Sequence, residues 1–259
     1  MGGGAQGARL GAARALTIMS PKRTVLALLL TLSACRSGEV KEAPTASTPP
    51  DFVTAVEAAV PTTSVPSAEP DQWLLAHLDV ETTGLVAGYH EMIDAGFVIT
   101  DLNGNIVDSL YIRVLPEHPE RLSPGAARVN GFNVATWKQQ GALTTKEAVD
   151  TIIAFNRRVA GNRHVLLVAF NSHFDAGFLD ALMHREGHSW RELFHYFVLD
   201  IPSMAWSLGY RDLTGAALAK RLNLPDEPRV AVEHTGITGA LLNVRIYTAL
   251  RALQVAKTP

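Results

Sequence analysis

Asp79 and Glu81 are the residues whose types and spacing most directly suggest chemistry. They stand in Asp79-Val80-Glu81-Thr82-Thr83-Gly84-Leu85, directly after the apolar run Trp73-Leu74-Leu75-Ala76-His77-Leu78. The run reads as a buried strand. Side chains alternate faces along a strand, so the two carboxylates leave its end on the same side, within about 7 Å of each other. Carboxylates so placed repel unless a cation lies between them. Hard oxygen donors at that spacing suit Mg²⁺ or Mn²⁺. Taken bare, Asp-x-Glu is more often a turn-capping Asp beside a solvated Glu.

Two other stretches carry candidate groups. Asn171-Ser172-His173-Phe174-Asp175 follows Val165–Phe170, an unbroken apolar run of the kind that forms a central strand covered on both faces. An Asp at a helix start is also a routine N-cap, Phe174 also fits a core position, and Asn171 also fits a turn cap. Further on, Glu233-His234-Thr235-Gly236-Ile237-Thr238-Gly239 opens the closing helix. A lone histidine is more often structural than catalytic.

The heptad resembles the first motif of the DEDDh 3′–5′ exonucleases, the family of polymerase proofreading exonucleases and ribonuclease T. Asn171-x-x-Phe174-Asp175 falls where the second motif belongs. His234 falls where the third motif places a histidine five residues before an aspartate, and here that position holds Gly239. Ser123–Gly131, ending Val-Asn-Gly, and Val198–Leu208 are similar to further family segments, so the resemblance spans residues 74–253. It implies a ribonuclease H-like α/β fold in three layers, with a mixed central sheet flanked by helices. It implies hydrolysis of terminal phosphodiester bonds at single-stranded nucleic-acid 3′ ends, DNA or RNA, to nucleoside 5′-monophosphates with two Mg²⁺ (or Mn²⁺) ions. By resemblance Asp79 bridges both ions, Glu81 holds the ion of the attacking water, Asp175 supports the second, and His234 takes the proton. Thr82, Thr83 and Leu85 line the terminal nucleotide, Asn171 contacts it, and Phe174 shapes the floor under its base. Gly239 removes one ligand, which predicts weak metal binding and reduced or absent turnover. The alternative is a catalytically degenerate member that binds nucleic-acid ends or nucleotides. Glu233, adjacent to His234, and Asp180 and Asp226 are candidate substitutes, and no pattern directs any of them into the site.

The elements that must position these groups lie in residues 73–255, read as one exonuclease-like domain. Strands are expected at 73–78, 92–99, 106–115, 165–170 and 197–200, the second and third joined by the Asp101–Asn105 turn. Helices are expected at 122–131, 144–160, 176–186, 202–208, 213–222 and 235–255. Residues 36–72 are rich in Pro, Ala, Thr and Ser and read as a disordered linker, with a helical turn expected at 52–60. Residues 1–35 read as a leader. Met19 opens a basic start followed by the apolar run Val25–Leu32, which is too short to span a bilayer. Leu32-Ser33-Ala34-Cys35 resembles a bacterial lipoprotein signal, which implies lipidation of Cys35 and anchorage at the cell-envelope membrane; with a spurious leader the domain is cytoplasmic. Cys35 is the one cysteine among 259 residues, so no intrachain disulfide forms. The net charge of −2 announces no general nucleic-acid binder. No Gly-x-Ser-x-Gly elbow, phosphate-binding P-loop or paired-cysteine zinc pattern is present.

Overall fold

The computed structural model describes residues 65–231 and 233–257. The leader, Cys35 and the turn expected at 52–60 lie outside the described residues. Five strands form one sheet: β1 (Trp73–Thr82), β2 (Met92–Thr100), β3 (Ile106–Arg113), β4 (His164–Ala169) and β5 (Val198–Asp200), in the order β3-β2-β1-β4-β5. The first three pair antiparallel, while β4 pairs parallel with β1 and β5 parallel with β4. This is the mixed sheet expected.

The period-two pattern of β1 sorts the layers. Leu74, Ala76, Leu78 and Val80 face a core shared with α3 (Thr145–Ala160) and α4 (Ser172–His184), through residues such as Ile152 and Phe178. Trp73 and Leu75 face a second core, shared with α5 (Ile201–Ser207), α6 (Gly215–Arg221) and α7 (Gly236–Lys257). The odd-numbered series runs on into Asp79 and Glu81, so the acidic pair lies on the α7 side of the sheet. β1 itself continues to Thr82 rather than ending at Leu78, because β2 goes on pairing with it through Asp79↔Gly96 and Glu81↔Asp94.

Two helices precede α3. Ser123 caps α1 (Pro124–Asn130), which stops at Gly131 in a left-handed conformation with φ 65°. The sequence reading omitted α2 (Val134–Gln139), whose N-cap Asn133 accepts from the amides of Ala135 and Thr136. Trp137 of α2 is buried and donates from its indole nitrogen to Ile93 O at 2.8 Å. A turn-length helix of this kind shows no apolar period. Helix α3 carries the Thr144/Glu147 capping box.

Helix α7 lies backbone against backbone on the sheet. A Cβ added at Gly96 would come closer than 3.0 Å to Gly236 C and to the backbone of Ile237. Two hydrogen bonds fix the crossing: Gly236 N–H donates to Asp94 Oδ1 at 2.9 Å, and Asn243 Nδ2 donates to Leu78 O at 2.9 Å. Asp94 also places a negative charge at the helix N-terminus, where the macrodipole favours it.

Candidate active site

The site forms where β4 stops. Its pairing with β1 ends at Leu78↔Ala169, so β1 runs on without that neighbour. The amide of Val80 donates instead to Asp175 Oδ1, at 3.1 Å. Asp175 is therefore no N-cap. Helix α4 begins at Ser172, four residues earlier than expected, with Asn171 at the N-cap and Asp175 within the first turn. Asp175 reaches the sheet edge from one helical layer while α7 and the segment before it face Asp79 and Glu81 from the other.

Asp79 is turned onto α7. A Cβ added at Gly239 would fall within 3.0 Å of both carboxylate oxygens and Cγ of Asp79, so that carboxylate occupies the room a side chain at 239 would need. Glu81 is buried, and its Oε1 lies 3.3 Å from His234 Nε2. The other imidazole nitrogen, Nδ1, lies 3.1 Å from Pro228 O. A carbonyl only accepts, so Nδ1 carries a proton and Nε2 is left facing Glu81.

Crowded burial dominates the electrostatics. Desolvation pushes the Asp79 carboxyl well above the usual carboxylate range, helped by the charges of Asp175, Glu81, Glu227 and Asp94. Glu81 is raised to about 8, first by burial and then by Asp94, with the Asn130 side chain opposing. Burial also raises Asp175, against the pull of the Val80 amide, and lifts Asp94 to about 6 against the Gly236 amide. A group of buried carboxylates that resist ionising together calls for positive charge.

Asp79, Glu81 and Asp175 share a cavity of about 380 Å³. Asp79, Glu81, Thr82 and Leu85 line it from β1 and the turn after it, Phe174 and Asp175 from α4, and His234 from the segment before α7. Leu85 is 81% exposed at the rim, and Phe174 packs on Phe178 with ring centroids 4.8 Å apart. Two predicted residues stand outside this lining. Thr83 is fully buried, with its Oγ1 accepting from the Glu91 amide at 2.9 Å, so its side chain ties the turn together. Asn171 is exposed and turns the chain with φ 69°.

The sequence reading missed one wall and one loop. Ser123, Ala126, Val129 and Asn130 line the cavity from α1 and its cap, and Asn130 Nδ2 donates to Thr82 O at 3.0 Å. Glu227 and Arg229 line it from the loop before α7. The Val-Asn-Gly ending of α1 was a usable signal for the wall; the loop offered none. Asp94 could have been found as an acid inside an apolar strand, since a buried charge needs partners. The three acids considered as substitutes are engaged elsewhere or exposed. Asp226 pairs with Arg229 at 2.9 Å, Asp180 pairs with His184 at 3.0 Å, and Glu233 is exposed.

Buried carboxylate oxygens that repel one another are the donor chemistry a hard divalent cation takes. As they stand, no group of three or more His, Cys, Asp or Glu side chains among the described residues is arranged to hold a metal ion. Taking up a cation therefore requires these side chains to reorient, Asp79 off Gly239 above all.

Residues 77–247 match the model of a protein family described as RNase T, Exonuclease. The chain belongs to the RNase T exonuclease family. Solved structures of similar fold include a 3′-exonuclease described in the recognition of a histone mRNA stem-loop. It is 16% identical, with 70% of this chain and 82% of that one covered and a TM-score of 0.53. They also include E. coli exonuclease I in a zinc-bound complex with single-stranded DNA, 14% identical, covering 71% of this chain and 41% of that one at a TM-score of 0.57. Exonuclease I with a 5cy-dT13 oligonucleotide gives 14%, 71%, 41% and 0.56 on the same measures. At such identities the likeness is one of fold, and this chain spans about two fifths of the exonuclease I chains. No curated protein matches by sequence. The mixed sheet flanked by helices is thus the ribonuclease H-like fold of the RNase T exonucleases, and nuclease function is the family's.

Proposed function

We propose that this chain is a divalent-metal-dependent 3′–5′ exonuclease that removes nucleoside 5′-monophosphates from single-stranded DNA or RNA. The observation that carries the reading is the convergence of Asp79, Glu81, Asp175 and His234 on one cavity in an RNase T-family fold. Bound Mg²⁺ or Mn²⁺, held by Asp79, Glu81 and Asp175, would supply charge that stabilises the extra negative charge on the phosphate. The chain supplies the rest. With Nδ1–H directed at Pro228 O, His234 presents Nε2 to receive a proton from the attacking water. Leu85, at the exposed rim, and Phe174 offer apolar contact to the terminal nucleotide, while Asn130 holds the Thr82 carbonyl and with it the end of β1.

A second reading is a degenerate member that binds nucleic-acid ends without turnover. The observation favouring it is the Asp79 carboxylate seated on Gly239, where no side chain completes the acidic set. End-labelled single strands incubated with Mg²⁺ or Mn²⁺ separate the two. An exonuclease of this polarity releases a 3′ label at once as mononucleotide and shortens a 5′-labelled strand stepwise. Asp79→Ala abolishes both signals, whereas a pure binder shows neither and keeps its oligonucleotide affinity in the variant.

The leader carries a separate proposal. A lipid on Cys35 would tether the domain to the bacterial cell envelope through residues 36–72, and the support is the basic, apolar and small-residue order of residues 19–35. There the enzyme would meet extracellular or scavenged nucleic acid. Incorporation of a fatty-acid analogue into the wild type and not into Cys35→Ala supports it; equal labelling, or none, overturns it.

A further inference from the structure

The loop before α7 brings a fourth carboxylate into the cavity. Glu227 lines it together with Asp79, Glu81, Asp175 and His234. Its side chain is only 8% exposed, and Arg229 Nη1 holds its Oε1 at 3.0 Å. Arg229 is itself fixed by Asp226 Oδ1 at 2.9 Å. The other oxygen, Oε2, is buried and accepts no hydrogen bond. It lies 3.5 Å from His234 Nδ1, but that nitrogen is already directed at Pro228 O. A buried carboxylate oxygen with no donor is costly unless something binds it. The charge of Glu227 acts on both Asp79 and Glu81, which places it in the same electrostatic cluster. Position 239 has no side chain, and one could be added only by displacing Asp79.

We propose that Glu227 supplies, through Oε2, the fourth carboxylate donor of the cation site formed by Asp79, Glu81 and Asp175, in place of a side chain at 239. The proposal rests on the metal-dependent reading above. The Arg229 contact pins one oxygen and leaves the other for the ion, a division that a freely solvated glutamate does not show. It also partly offsets the negative charge of a four-carboxylate site. Glu227 and Glu81 flank His234 on its two ring nitrogens, at 3.5 Å and 3.3 Å, so a glutamate from the loop joins the cluster beside the catalytic base.

Mn²⁺ binding by the full chain is the test, read as loss of the free-ion electron paramagnetic resonance signal. Glu227→Gln keeps the shape and the Arg229 contact while removing the charge. It is expected to weaken Mn²⁺ binding by about tenfold or more. Glu227→Ala is expected to do the same, and the exposed neighbour Glu233→Gln is expected to bind as wild type does. Metal-free melting temperatures establish that each variant is folded. Wild-type Mn²⁺ affinity in folded Glu227→Gln and Glu227→Ala overturns the proposal and leaves the metal-dependent reading standing, with Glu227 then a partner of Arg229 and His234 only. A wild-type chain that takes up no Mn²⁺ overturns both.

Discussion

Gly96→Ala probes the closeness of α7 to the sheet, on which the site depends. The new Cβ would fall nearer than 3.0 Å to Gly236 C and to the N and Cα of Ile237. These are backbone atoms with no rotamer to escape into, so the N-terminal turn of α7 must retreat by roughly 1 Å to reach ordinary contact. Overpacking of this kind costs roughly 1–3 kcal/mol. Stretching the hydrogen bond from Gly236 to Asp94, now 2.9 Å, adds roughly 1–2 kcal/mol because Asp94 is buried. A domain of this size loses about 2–4 °C of melting temperature per kcal/mol, so the variant should melt roughly 5–20 °C lower. His234 precedes Gly236 by two residues and moves with it, opening the 3.3 Å separation from Glu81. Misplacement of a reacting group by about 1 Å costs on the order of a hundredfold in rate. Gly177→Ala is the control of opposite sign. Its Cβ would meet only Ala87 Cβ, at 3.8 Å, inside α4. Helix propensity there favours alanine by about 1 kcal/mol, so melting should rise by about 2–4 °C with unchanged activity. Thermal unfolding and the end-labelled strand assay read both variants. Wild-type melting and turnover in Gly96→Ala would show that α7 does not rest on the sheet backbone, and the account of how the site is positioned would fail.

Four further outcomes are expected. Asp79→Asn abolishes nuclease turnover and raises the metal-free melting temperature at neutral pH, because it removes a carboxyl that ionises freely in the unfolded chain but resists ionising beside Asp175, Glu81 and Glu227 in the fold; unfolding in chelator checks the second effect. His234→Ala lowers turnover by about 10²- to 10⁴-fold with oligonucleotide affinity kept, as measured by single-turnover kinetics and fluorescence anisotropy. Gly239→Asp lowers the metal-free melting temperature, since Asp79 must leave the room it now fills. His77 is fully buried, and burial lowers its pKa from 6.5 to about 3. The unfolded chain therefore takes up that proton first. Its contribution is intact above about pH 6.5 and falls by ~1.4 kcal/mol per unit down to about pH 3, a slope that chemical denaturation of His77→Phe should lack.

What the sequence made legible follows from where each residue stands. The apolar runs at 73–78 and 165–170 announce β1 and β4 because both are covered on two faces, and their order with the helices gives a mixed α/β sheet. The end of β1 was misplaced because Asp79 and Glu81 look like the close of a strand, whereas cross-strand pairing with Gly96 and Asp94 carries it to Thr82. The start of α4 was misplaced because Ser172 and His173 show no apolar period, and the boundary is set by Asn171 turning left-handed. Helix α2 was invisible because six residues are too few for a period to show. Asp79, Glu81, Asp175 and His234 were legible because each sits beside a strand end or a helix start within a spaced motif. Thr83 belongs to the same motif, yet its hydroxyl serves the turn through Glu91.

The absence of a side chain at 239 and the presence of an acid at 227 have a common physical logic. Gly96 and Gly236 let α7 sink onto the sheet until its backbone meets β1 and β2. At that depth the carboxylate of Asp79 leans on the helix where a side chain at 239 would project, and a second carboxylate in the same place would be driven against it. A charge at position 239 has no room while Asp79 rests there, but the cluster still contains Asp175, Glu81 and Asp94 with raised carboxyl pKa values. A carboxylate arriving from the loop escapes the steric conflict, because Glu227 enters beside His234 instead of beneath Asp79. It also brings its own counterion, Arg229, which a residue on the buried face of α7 could not do. On this argument the helix depth and the loop acid are coupled. A variant that lifts α7, such as Gly96→Ala, should make Gly239→Asp less disruptive than it is in the wild-type background. Additive losses of melting temperature in the double variant would break the connection.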